Sequence, residues 1–142
     1  MKASGLSFME LVDAYKKEVR SLLELAVPVW SSGLTMEQSL DIERVQKSAL
    51  AAILGPKYSS YEDALQLSKL ERLSVRRRQI CTKFVKKNMK SDKPLFKTIN
   101  RHHNTRSSKN AIQEFQCRTK SFFDSGLPFL ARLYNNSLKA QK

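Results

Sequence analysis

The sequence predicts an all-α fold: a small bundle of about four helices over residues 7–90, followed by a basic, largely irregular tail with a short C-terminal helix. Three observations predict it. Apolar residues recur at helical spacing through the first ninety or so positions. Paired capping residues three apart open two of those stretches. Only four glycines and four prolines are available to shape turns.

Ser7 with Glu10 forms a capping box, a hydroxyl at the N-cap and a carboxylate three residues on. Phe8, Leu11, Val12, Tyr15, Val19, Leu22, Leu23 and Ala26 then follow a helical stripe. Asp13–Lys17 and Arg20–Glu24 are spaced as i,i+4 ion pairs on the other face. This helix covers about 8–26 and stops at Pro28, whose ring and missing N–H oppose continuation.

Ser31-Ser-Gly33 reads as a turn, and Thr35 with Gln38 as a second capping box. Gly55-Pro56 ends the helix that follows, with Ile42, Val45, Ala49 and Ile53 as its stripe. Gln46 falls inside that stripe. A buried glutamine needs hydrogen-bond partners, so it either ties two helices together, the commoner arrangement, or faces a ligand.

Ser59 or Ser60 caps a short helix through Tyr61, Ala64 and Leu65. The next helix, about 74–90, carries Leu73, Ile80, Cys81 and Phe84 on one face and Arg76, Lys83, Lys86, Lys87 and Lys90 on the other. Arg77 lies only about 40° from Leu73 at 100° per residue. It therefore reads as a guanidinium held by a carboxylate of a neighbouring helix. The spacing makes Leu22, Leu23, Val45, Ala49, Ile53, Ile80 and Phe84 the expected core, with the first helix against both the 36–54 and the 74–90 helices.

Ser91-Asp-Lys-Pro94 breaks the pattern, and residues 98–111 contain almost nothing to bury, as a linker or loop would. Phe115, Cys117 and Thr119 alternate, the signature of a short strand. Ser125-Gly-Leu-Pro128 starts a last short helix carrying Leu127, Leu130, Leu133 and Tyr134, with Pro128 suited to its first turn. The expected division is thus a helical bundle over 1–92 and a basic tail over 93–142.

Charge is distributed unevenly. Residues 1–72 carry 9 Lys/Arg and 10 Asp/Glu, whereas residues 73–142 carry 17 and 3. The excess in the second half suggests a polyanion, nucleic acid or an acidic membrane surface, against the plainer alternative of a solvated basic face. Neither a signal peptide nor a membrane span is visible: Lys16, Lys17 and Arg20 interrupt the first apolar stretch, and the longest apolar run is Leu25 to Trp30. With two cysteines and no disulfide framework, the expectation is a soluble intracellular protein, nuclear or cytoplasmic.

Catalytic chemistry has little to stand on. Cys81, His102, His103 and Cys117 lack the closely spaced ligand pairs of a zinc finger or knuckle, and read more simply as a core cysteine with loop histidines. There is no glycine-rich phosphate loop, and the carboxylates of the second half, Asp92, Glu114 and Asp124, are isolated where two-metal chemistry needs a cluster. No catalytic residue, metal ligand or cofactor is expected. What remains is a basic ridge on the 74–90 helix and a basic tail. Arg76, Lys83, Lys86, Lys87, Lys90, Arg101, Arg106, Lys109, Arg118 and Lys120 are the candidate contacts to a nucleic-acid backbone, positioning the protein rather than reading sequence.

Several strings, taken in order, are similar to one family. Val19-Arg-Ser-Leu-Leu-Glu-Leu-Ala-Val-Pro-Val-Trp30 resembles the segment after the palm in LINE-type (non-LTR) retrotransposon reverse transcriptases. Ile42-Glu-Arg-Val-Gln-Lys-Ser-Ala-Leu50, Tyr61-Glu-Asp-Ala-Leu65 and Leu70-Glu-Arg-Leu-Ser-Val-Arg-Arg78 resemble strings that follow in that family. Asn104-Thr-Arg-Ser and Cys117-Arg-Thr-Lys-Ser-Phe-Phe-Asp-Ser-Gly-Leu-Pro-Phe-Leu130 resemble the closing motif of jockey-like elements. The chain departs from the family at Leu25, often tyrosine there, and at Phe122-Phe123, where a polar or basic residue is commoner.

The resemblance implies the thumb and the segment behind it, which in the family pack against the primer–template duplex, with the catalytic region upstream in a longer reading frame. The family's Tyr-Ala-Asp-Asp motif and endonuclease have no counterpart here. The resulting expectation is a non-catalytic nucleic-acid-binding fragment, with an RNA or DNA duplex backbone and a catalytic palm as partners and no small-molecule substrate. A helical scaffold piece that docks on a palm, or a decayed fragment of an element, are the alternatives.

Overall fold

Both capping boxes form. Ser7 accepts from the Glu10 N–H while Glu10 accepts from that of Ser7, and Thr35 and Gln38 reciprocate in the same way. The computed structural model describes residues 5–98 and 111–140, and the fold is all-α. In order the helices are α1 (Phe8–Tyr15), a π-turn (Lys16–Arg20), α2 (Ser21–Glu24), α3 (Val27–Trp30), α4 (Met36–Leu54), α5 (Tyr61–Ser68), α6 (Leu73–Met89), α7 (Lys120–Asp124) and α8 (Gly126–Lys139). The strand expected at 115–119 does not form. The one β feature among the described residues is an isolated antiparallel bridge between Thr98 and Ile112.

The expected boundary near residue 92 falls elsewhere. The chain divides into one unit of residues 1–25 and 34–76 and a second of 26–33 and 77–142. The first turn of α6 belongs to the former and the rest of that helix to the latter.

In the first unit the opening helix runs to Glu24 rather than to 26. Leu25 is extended and Ala26 takes a left-handed conformation at φ 51°, so the chain turns before Pro28, which sits in the first turn of α3. The Ser21 hydroxyl bonds back to the Lys17 carbonyl, beside the π-turn, as hydroxyls do where a helix is locally widened. Val12, Tyr15, Leu50, Ala64, Leu65 and Leu70 form the core. The end of α5 is a Schellman motif: Leu70 N–H bonds to the Leu65 carbonyl at 2.9 Å and Lys69 N–H to that of Gln66 at 3.1 Å, with Lys69 left-handed. Gly55 ends α4 at φ 53° and ψ −126°, a backbone region that costs other residues strain.

Much of the expected core lies outside it. Leu22 is 73% exposed and Val45 42% exposed, while Leu23, Ala49, Ile53 and Ile80 are only half-buried. On α4 the buried line runs through Gln46 and Leu50, one position round from the expected stripe. Gln46 ties helices together. Its Oε1 accepts from the Tyr15 hydroxyl at 3.0 Å, and its Nε2 donates to the Tyr61 hydroxyl at 2.9 Å and to the Glu71 carbonyl at 3.0 Å. Tyr61 in turn donates to Glu43 at 2.6 Å, and the same carboxylate accepts from Leu73 and Ser74 N–H at 3.2 Å each, capping α6. Burial pushes the Tyr15 phenol up to about 12 and the Tyr61 phenol higher still, the latter helped by its bond to Glu43. Gln46→Leu leaves the Tyr15 hydroxyl and the Glu71 carbonyl without that partner, and should cost about 1–3 kcal/mol for each group in denaturant unfolding. An unchanged midpoint would remove this network from the reasons the unit is stable.

The second unit contains most of the expected tail, and it is packed. Val27, Cys81, Val85, Phe96, Ile112, Leu130, Ala131 and Tyr134 form one buried cluster. Asn135 acts as a clamp on extended backbone. Its Oδ1 accepts from Ile112 N–H and its Nδ2 donates to the Ile112 carbonyl, both at 2.9 Å, so a side-chain amide does what a neighbouring strand would do. Asn88 Oδ1 accepts from Leu95 N–H at 2.8 Å and turns the chain after α6. The final helix forms as expected, with Pro128 in its first turn, and extends to Lys139.

Candidate nucleic-acid interface

On α6 the fully buried line is Leu73, Arg77, Cys81 and Val85, each four residues after the last. At 100° per residue these lie at about 0°, 40°, 80° and 120°. Phe84, expected in the core, is 38% exposed, although its helical angle of about 20° lies between those of Leu73 and Arg77. Arg77 is 6% exposed and points inward as its position in the stripe suggested.

The opposite side of α6 is basic. Lys83, Lys86 and Lys87 are exposed and fall between about 220° and 320°, and Lys90 is exposed in the turn that follows the helix. Among the described residues no carboxylate lies within ion-pair distance of any of them. Arg118 and Lys120 are exposed in the segment that leads into and opens α7, in the same unit. Arg101, Arg106 and Lys109, with His102 and His103, lie outside the described residues.

Arg76 is placed differently. Its Nε and Nη2 donate to the two carboxylate oxygens of Glu24 at 2.9 and 3.4 Å, and Arg20 approaches the same carboxylate at 3.5 Å. The bond to Glu24 raises the Arg76 pKa. A guanidinium engaged in this two-point pair is a structural group, not part of the lysine ridge. Arg76→Ala should therefore lower stability by up to about 1 kcal/mol, the scale of a partly exposed pair, and leave the salt dependence of nucleic-acid binding unchanged. A reduced salt slope would return Arg76 to the interface.

The tertiary division keeps the charge asymmetry, with only Arg76 changing sides. The first unit carries ten Lys/Arg and ten Asp/Glu, and the second sixteen and three, so the whole +13 sits on one unit.

No group of three His, Cys, Asp or Glu that could hold a metal occurs among the described residues. Cys81 is buried, and desolvation raises its thiol pKa, which disfavours the reactive thiolate. The Cys117 thiol donates to the Phe115 carbonyl at 3.3 Å. Among the described residues no helix is long and apolar enough to cross a membrane. Compared with models of protein families, with curated proteins and with solved structures, the chain matches none.

Proposed function

We propose that the chain is a non-catalytic nucleic-acid-binding module, whose basic unit follows a phosphate backbone along the exposed side of α6. The observation that carries this reading is the separation of charge: one unit is neutral and the other has sixteen cations and three carboxylates, with Lys83, Lys86 and Lys87 on one helix face where no carboxylate lies at ion-pair distance among the described residues. Such a face neutralises phosphates without reading bases. The sequence resemblance to the thumb and post-thumb region of LINE-type reverse transcriptases favours a primer–template duplex as the ligand.

Titration of the protein onto a labelled RNA–DNA duplex at several salt concentrations tests this. The logarithm of the binding constant should fall linearly with the logarithm of salt, with a slope of about −0.9 for each phosphate neutralised. Lack of binding at low salt would end the proposal.

One observation favours a second reading, a helical docking piece. In the first unit Leu22, Leu25, Met36 and Leu40 are all more than half exposed, a large apolar area for a neutral surface. Such side chains would be covered by a partner such as a catalytic palm. Size-exclusion chromatography at high salt, where the basic unit is screened, separates the readings: self-association supports docking, and a clean monomer counts against it.

A further inference from the structure

Two consecutive aromatic side chains on α7 remain in water although each is braced. Phe122 is 44% and Phe123 45% exposed. Phe122 stands edge-on to Phe115, centroids 6.4 Å apart and planes at 90°, and Phe115 packs on the buried cluster of the unit. The Arg132 guanidinium lies over the Phe123 ring, 3.5 Å from its centroid. It covers one face of that ring. Both rings are thus held in place before any ligand arrives, so little rotamer freedom is left to lose on binding.

Their surroundings are cationic. Lys120 is three residues before Phe123 and shares its side of the helical turn, Arg118 precedes the helix, and both are exposed with no carboxylate at ion-pair distance among the described residues. The single acid of α7, Asp124, closes the helix. Exposed flat rings next to exposed cations suit unpaired nucleotides, with a π-face for a base and a positive charge for the adjoining phosphate. An apolar protein surface would use the rings but gain nothing from the cations.

We propose that α7 is a stacking platform for unpaired bases, Phe122 and Phe123 taking the base faces and Arg118 and Lys120 the phosphates. The proposal rests on the nucleic-acid reading above and adds a ligand class to it: a duplex with a single-stranded extension, not a blunt one.

Three ligands of common duplex sequence test it: blunt, with an unpaired tail, and with a tail of abasic sites. The abasic tail has the same phosphates without the bases. The protein should bind the base-bearing tail more tightly than the abasic one, by roughly 5- to 150-fold for each stacked base. That ratio should hold as salt rises, because the phosphate count is equal. Changing Phe122→Leu and Phe123→Leu together keeps apolar bulk, and should leave the melting temperature in place while the preference falls toward unity. Equal affinity of the normal protein for the two tails, or a preference that survives the leucine pair, would overturn the platform. In the first of these cases, retained binding to the blunt duplex leaves the backbone reading standing, whereas failure to bind any of the three ligands removes both.

Discussion

Phe96→Ala should destabilise the second unit by about 3–5 kcal/mol, the range for truncating a buried phenylalanine. Phe96 is 2% exposed and shares a buried cluster with residues from α3, α6 and α8, although it lies in a segment whose composition reads as an appended tail. The ring cannot be replaced by water in a cluster lined with Val85, Ile112 and Leu130, so its loss leaves a cavity. The paired control is Phe84→Ala, which should cost under about 1.5 kcal/mol, since more than a third of that residue is already in water. Equilibrium unfolding of both variants orders the two. A loss below about 1 kcal/mol for Phe96 would show that the segment after α6 is not part of the core.

The second large effect concerns binding. Replacing Lys83, Lys86, Lys87 and Lys90 by alanine together should reduce the salt slope of duplex binding by about four units. At 0.1 M salt each contact of slope about −0.9 contributes close to tenfold, so the quadruple variant should bind roughly several thousandfold more weakly. Stability should barely change, because all four side chains are exposed and unpaired among the described residues. A quadruple variant with unaltered slope would show that phosphates are met elsewhere on the basic unit.

The two arginines next to each other on α6 show how sequence and structure divide the work. The helical angle brings Arg77 close to Leu73, and Arg77 is indeed buried. The same angle puts Arg76 on the basic flank, yet it is committed to Glu24, 52 residues away along the chain. Nothing in a local pattern encodes a pairing at that separation.

The sequence by itself determined the all-α class, both capping boxes, the serine cap of α5, the proline-initiated last helix and the buried role of Gln46. Each rests on bonds between residues three or four apart, or on a polar residue standing inside an apolar stripe, and such signals survive without knowledge of the neighbours. Only the tertiary structure decided which side of α4 and α6 is buried, that Asn135 would hold the Ile112 backbone, and that Val27, Cys81, Phe96, Ile112 and Tyr134 meet in one core. The apolar stripe of a helix spans a broad sector, wide enough that a neighbour can settle one residue to either side. The partners of the second core are single apolar residues scattered through otherwise polar segments, and they gain their burial from chain closure across long separations, which no periodicity records.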